Sequence, residues 1–471
     1  MSQESVNRFG EELVRSISSS LREPSWLADA RLDALREFAS LPEETNPLYT
    51  KYSRISAFDL SAFSVSAHPS PPADLRTYFK DFLTGSESNI SLQANDAHIH
   101  TDLDADLASL GVRLTPIHEA IATDEEGMKK LFSAKLIRTS TDKYAAFVNA
   151  FFNCGTMVRV PRGAAVAKPL RRMLLLDSPK SAIVDRTFIV AEEESKLTFL
   201  EELYSKGVPS PALVASNVEV QAMPASHIDF SSIQLLGDQA VHVSNRAIRT
   251  LSDSKATVSA LGLGASVSRS RMNFLLDGRG SVAEGFEIFF TSKKQRYDFE
   301  SNLVHNSPDS TGSTQARGVL REESQTIFKG MIKIVKAAKN SRSYLAHHAM
   351  ILDRTAKSDG IPGLEIDNNE VKATHSASVA QIDDEQLFYL MARGLSLDEA
   401  RKMVVLGFFE PVLSRVPVET TREGARFMVE GKWHGESRRL SDREAMLALA
   451  GEAAPQVRPK EDIFERHYKY R

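Results

Sequence analysis

VHVSNRAI (residues 241–248), ATVSALGL (256–263), VSRSRMNFL (267–275) and VAEGFEIFF (282–290) follow one another through the middle of the chain, each with apolar side chains at alternating positions. Period-two alternation in runs rich in β-branched and aromatic residues reads as strands with one buried face. Runs of the same kind occupy residues 183–190, 196–203, 213–220 and 228–235. So many strands with so little helix between them make one large all-β block. Their starts lie 11 to 17 residues apart, about 14 on average, wider than the roughly 8 to 12 of sandwiches, and a near-regular winding at that pitch predicts a β-solenoid. Stacked coils bury the inward residues and are expected to leave the alternating polar ones, Asp185, Thr187, Glu219 and Asp229, outside. No crisp repeat motif accompanies the spacing.

On either side the pattern turns helical. Residues 1–150 carry apolar positions at helical spacing in Trp26, Leu27, Ala30, Leu35 and Phe38, in Leu75, Tyr78, Phe79 and Phe82, and through 144–152, with prolines between them. The β-block is expected over 151–378. Beyond it, Asp383 with Gln386 and Ser396 with Glu399 have the spacing of capping boxes, and Gly394 separates two short helices in 379–418. These helices hold too many apolar residues to bury themselves. Arg393, Met403, Leu406, Phe408 and Phe409 are therefore expected to meet a partner. The remainder, 419–471, reads as a charged extension, with RRLSDREAMLALAG as a helix within it.

A chain of 471 residues, 42% hydrophobic and 25% charged, is ample for a sizeable core. Its 58 basic against 62 acidic side chains leave a net charge of -4, which gives no electrostatic reason to bind nucleic acid or membrane. No apolar stretch approaches the ~20 residues of a bilayer span, and MSQESVNRFGEEL lacks the layout of a signal peptide, so a cytoplasmic location is expected. A single cysteine, Cys154, excludes an internal disulfide and any site built from several thiolates of this chain. Metal or sulfur chemistry, if present, must be shared with another molecule.

The sequence offers few catalytic constellations. Gly262-Leu-Gly264 lacks the third glycine and following helix of a dinucleotide fingerprint, Gly278-Arg-Gly280 reads as a turn, and neither a Walker lysine nor a G-x-S-x-G elbow occurs. His98 and His100, with Asp102 nearby, can face one side of a strand but find no further ligand, and an exposed connection is the simpler reading. His347 and His348 are adjacent and point apart on a strand. Cys154, between aromatics and a glycine, reads as a small buried filler. His375 stands where the strand pattern gives way to the capped helices, a place from which a neutral imidazole can ligate a metal or meet a partner.

Long stretches of the C-terminal half, GLGASVSRSRMNFLLDGRGSVAEGFEIFF, LVHNSPDSTGSTQARGVLREESQTIFKGMIKI and LEIDNNEVKATHSASVAQIDDEQLFYLMARG, resemble the SufB/SufD family of iron-sulfur cluster assembly proteins. REPSWLADARLDALREFASLP near the N-terminus and the run around residues 153–163 extend the resemblance over most of 20–415, on the SufD side. It implies a right-handed parallel β-helix flanked by N-terminal and C-terminal helical regions. It also implies a non-catalytic scaffold that pairs through the β-helix with a SufB-type subunit and holds the ABC-type ATPase SufC on its C-terminal helices. ATP hydrolysis then belongs to SufC. The SufD-side histidine falls on His375, with Ala373 where the pattern has cysteine and Ser376 where it has glycine. His375 is thus expected to give one metal ligand to iron or a transient cluster that a partner completes, no cofactor being held by this chain alone. A homodimer presenting two copies of His375 is the alternative. The rival from another class is a β-helix enzyme acting on polysaccharide, with carboxylates such as Asp229 and Glu287 in one groove.

Overall fold

Strands of about ten residues alternate with tight turns, and at each turn the chain crosses from one sheet to the other. The computed structural model describes residues 9–52, 57–69, 71, 79, 88–166, 168–206, 211–439 and 442. Three short strands, β1 (Ile90–Ala94), β2 (Ala97–Asp102) and β3 (Arg113–Pro116), precede β4 (Thr156–Val160) and β5 (Leu170–Leu176). Then follow β6 (Ala182–Ala191), β7 (Lys196–Ser205), β8 (Ala212–Ala222), β9 (His227–Leu235), β10 (Ala240–Thr250), β11 (Lys255–Gly262) and β12 (Val267–Leu276). The series ends with β13 (Val282–Thr291), β14 (Arg296–His305), β15 (Thr311–Leu320), β16 (Gln325–Ile334), β17 (Arg342–Ile351), β18 (Lys357–Ile366) and β19 (Lys372–Gln381). From β4 onward every even strand pairs in parallel with the next even one, and from β5 every odd strand with the next odd one. The molecule is a β-solenoid with two parallel walls.

In-register parallel pairing stacks like on like. Phe274 lies over Leu303, Leu303 over Ile332, and the inward side chains of both walls merge into one apolar column with Phe199, Phe230, Val258, Phe289 and Leu345. The corners are just as regular. Glu194, Ala225, Asp253 and Asp309 each adopt a left-handed conformation, with φ of 60°, 58°, 55° and 59°. A serine follows each of them immediately before the next strand, and Ser195, Ser226, Ser254 and Ser310 donate back to the carbonyls of Glu192, Met223, Leu251 and Ser307 at 2.7–2.9 Å. The hydroxyl satisfies a carbonyl that the tight turn removes from the ladder.

The polar side chains expected outside are mostly not there. Asp185 and Thr187 face the lumen, where Arg172 pairs with Asp185 and donates to Thr187 (3.2 Å), Glu201 (3.2 Å) and Gln93 (2.7 Å). Glu219 does point outward, but the helical layer covers it, and it accepts from Arg186 (2.7 Å) and the Ile137 amide (3.1 Å). Only Asp229 keeps a partly open position. Alternation tells which residues share a face, and not whether that face is wet. A buried arginine can satisfy several acceptors at once, so a polar layer crosses the lumen.

The N-terminal helices α1 (Glu11–Ser20), α2 (Ser25–Ser40), α3 (Ala105–Ser109), α4 (Ile117–Thr123), α5 (Glu125–Ala134) and α6 (Lys143–Phe151) precede the long coils. Apart from α3, which brings Leu107 near the inner column, they build a core around Ile17, Phe38, Phe147 and Phe151 against Val184, Phe188, Leu213 and Val243 on the outer face of the even wall. Residues 1–150 are thus not wholly helical, because β1, β2 and β3 belong to the two sheets. The helix pattern at Leu75, Tyr78 and Phe82 lies outside the described residues; Phe79, which is described, is buried.

Among the described residues three helices follow the last strand: α7 (Asp384–Ala392), α8 (Leu397–Leu413) and α9 (Glu419–Trp433). The stretch read as a charged extension therefore begins with a packed helix. Ala425, Met428 and Val429 of α9 join Val405, Phe409 and Leu413 of α8 over Leu261, Phe286, Ile288 and Val319 on the outer face of the odd wall. The helix expected over 438–451 lies almost wholly outside the described residues.

Candidate functional site at the open end of the solenoid

The two ends of the solenoid differ. At the first, β2 and β3 pair antiparallel with β1 and β4, and Leu103 and Leu107 close over the inner column. At the other, β18 and β19 are the outermost strands of their walls, and burial falls away along them. Leu364, Ile366 and Val379 are 40%, 41% and 41% exposed, although their register places them on the lumen face. An outermost strand has a neighbour on one side alone, and beside exposed apolar side chains such an edge can accept another strand.

His375 sits in this mouth. It is paired with Leu345, a fully buried member of the inner column, so parallel register points its side chain to the lumen side. Its neighbour Ala373 packs against that column, while His375 itself is exposed because no further coil covers it among the described residues.

One coil down, His347 also faces the lumen and is 0% exposed. Phe328 stacks on its ring at 4.7 Å and 2°, and Phe289 lies beyond at 6.3 Å. Neither ring nitrogen has a hydrogen-bond partner among the described residues. Burial drives its pKa down to about 3, so the imidazole is neutral. His348 points the other way and contacts Ser378 at 2.6 Å, which agrees with the expected divergence of the pair.

A second surface lies on the C-terminal helices. Phe388, Tyr389 and Met391 of α7 are 75%, 59% and 44% exposed, and Leu397 and Met403 of α8 continue the patch. The Arg393 guanidinium lies over the Tyr389 ring, 5.2 Å from its centroid. The expected partner residues separate here: Arg393 and Met403 are exposed, Leu406 and Phe408 are half-buried against the core, and Phe409 is fully buried. Arg317 donates to the Phe408 carbonyl and covers its ring, which pins this turn to the solenoid. α9, which covers Phe409, reads in the sequence only as part of a charged extension. The exposed apolar residues of α7 carry a signal, since five apolar residues in a row, 387–391, cannot all face one side of a helix. Ser396 and Glu399 form the expected capping box, whereas Asp383 caps through the Glu385 amide (2.9 Å).

Other candidates fall away. The Cys154 thiol is buried, donates to the Val184 carbonyl at 3.4 Å, and is pushed well above its ordinary pKa by burial and then by the Asp185 charge. His98 and His100 lie on the edge strand β2 rather than in a connection, with His98 held to Thr101 at 2.9 Å. No group of three or more metal-ligating side chains converges among the described residues. Asp229 faces outward on β9 while Glu287 is buried in the lumen on β13, so the two share no groove. No described helix is long and apolar enough to cross a membrane.

Residues 174–408, which span the long coils, the mouth and the start of the C-terminal layer, match the family model described as SUF system FeS cluster assembly, SufBD core domain. Iron-sulfur cluster assembly SufBD family proteins of Staphylococcus aureus strains MRSA252 and USA300 are 26% identical over 438 residues, covering 89% of this chain and 93% of theirs. The corresponding protein of Staphylococcus saprophyticus is 25% identical over the same length.

Proposed function

This chain belongs to the SufBD family of iron-sulfur cluster assembly proteins, and from that premise we propose that it is a SufD-like, non-catalytic scaffold subunit working in the cytoplasm. Its open solenoid end pairs with a SufB-type subunit, and His375 in that mouth contributes one ligand to iron or a nascent cluster that the partner completes. The observation that carries this reading is the mouth itself: edge strands β18 and β19, exposed lumen-face apolar residues, and a histidine turned inward among them. Edge pairing supplies backbone hydrogen bonds, the apolar rim supplies burial, and imidazole suits iron. Among the described residues His375 is the one exposed imidazole of the mouth, and on this reading cluster and iron are cargo shared with the partner.

The ABC-type ATPase SufC docks on α7 and the exposed face of α8, through Phe388, Tyr389, Met391, Arg393 and Met403. Nucleotide-driven movement of SufC then acts on the paired mouths, and the chemistry of ATP stays with SufC. Removing everything from residue 383 onward is a poor test, because it would also strip α8 and α9 from Leu261, Phe286 and Ile288.

The deciding experiment is co-expression with a SufB-type and a SufC-type subunit, followed by affinity purification and native mass measurement. A complex of all three is expected. His375→Ala should leave that complex assembled and lower its iron content, and unchanged iron would remove His375 from the mechanism. A second copy of this chain can satisfy the same edge, and a mass of two identical chains would assign the homodimer instead.

A further inference from the structure

We propose that His347 is a second metal-binding imidazole of the mouth, set one coil beneath His375, so that this chain offers a borderline divalent cation such as ferrous iron two nitrogens from its own lumen. The proposal rests on the reading of the mouth as an iron-binding site and adds an inner ligand to it.

The register brings the two histidines together. His375 pairs with Leu345 and Ala377 with His347, so the histidines are diagonal neighbours on adjacent strands of one wall, both on the lumen face. Strands ~4.8 Å apart and residues two apart along a strand at ~6.7 Å put their Cα atoms about 8 Å apart. Two imidazoles can close on one ion across that distance at about 2.1 Å per nitrogen.

His347 has no other evident employment. Its ring is fully buried, and neither nitrogen has a partner among the described residues. Leaving a buried polar group unsatisfied is destabilising, and an apolar ring in the same stack would avoid that cost. Phe328 and Phe289 of earlier coils stack on the ring and fix its plane. The coil beyond is built of small residues where it passes the ring: a methyl group on Gly360 would lie 2.9 Å from His347 Nδ1, and the side chain of Ala377 lies next to that position. Glycine thus leaves this nitrogen free on the side of the mouth. Without a hydrogen-bond acceptor to fix its tautomer, either nitrogen can take the proton while the other binds.

The test is anaerobic titration of the full-length protein with Co²⁺, a spectroscopic stand-in for Fe²⁺, alongside thermal melts. His347→Phe keeps an aromatic ring in the stack and should leave the melting temperature unchanged or raised. It is expected to weaken Co²⁺ binding at least 10-fold, as is His375→Ala, and Gly360→Ala should weaken it by crowding Nδ1. Unchanged Co²⁺ affinity in His347→Phe with loss in His375→Ala overturns the inner ligand and leaves the mouth reading standing. Unchanged affinity in both variants, or no binding by the wild-type chain, likewise overturns the inner ligand, while the mouth reading stands or falls on the iron content of the His375→Ala complex.

Discussion

Phe409 and Phe388 are two phenylalanines on consecutive helices, and truncating each should have opposite consequences. Phe409 is 0% exposed between α8, α9 and the odd wall. Removing such a ring leaves a cavity and costs about 3–5 kcal/mol. The loss should appear locally, since α8 and α9 are held to the solenoid largely through this layer. Phe388 is 75% exposed. A buried phenylalanine covers roughly 200 Å², so roughly 150 Å² is free, worth up to about 4 kcal/mol at about 25 cal/mol/Å² if the ATPase covers it. Interface truncations realise only part of such a sum, and about 1–3 kcal/mol, roughly 5- to 150-fold in Kd, is the expectation for Phe388→Ala. Its effect on folding should stay within about 0.5 kcal/mol. Calorimetric titration with SufC reads the first quantity, and hydrogen exchange over 397–433 reads the second. Full SufC affinity in Phe388→Ala, or full exchange protection of α9 in Phe409→Ala, would refute the division of this layer into a glued face and a docking face.

Two further outcomes follow from buried groups. Lys432 is enclosed by α9 and the solenoid, with its amine donating to the Leu263 carbonyl and to Gln295 at 2.8 Å, and burial pulls its pKa down to about 7. An unfolded lysine titrates near 10.4, so between roughly pH 7 and 10 the unfolded chain binds more protons and stability rises with pH. Urea titrations followed by Trp433 emission in a Trp26→Phe background should show that rise, and Lys432→Met should flatten it; an equal slope in both proteins would contradict the assignment. Cys154 should resist iodoacetamide in the native protein and react only on unfolding, and Cys154→Ser should assemble normally. Rapid native alkylation would place the thiol in a chemical role that its raised pKa denies it.

The winding of the chain was legible because strands such as Val282–Thr291 alternate cleanly, and the α2 helix because Trp26, Leu27, Leu35 and Phe38 recur at helical spacing. The repeat was present as well, in serines before strands at Ser195, Ser226, Ser254 and Ser310, but it is one residue per turn and is lost among many other serines. Burial of Asp185 and Glu219 was not legible, because their partners Arg172 and Arg186 come from other strands. The same reason hid Phe409: its cover, α9, is rich in Glu, Arg and Lys on one side and apolar only at positions such as Ala425, Met428 and Val429. The sequence singles out His375 by its place between strand and helix and by resemblance, whereas His347 is set beneath the mouth only by the register.

The connection between β19 and α7 has a mechanical meaning. Gln381 ends the strand and Asp384 begins the helix, so only Ile382 and Asp383 lie between them. Three peptide steps reach about 10 Å at full extension. Any displacement of α7 beyond that slack has to be drawn from the strand, first by breaking the pairing of Gln381 with Ile351 and then by peeling back towards His375. A partner that gripped Phe388 would therefore hold a short tether on the last rung of the solenoid, and a pull there would loosen the ladder from the end opposite to where the strand enters.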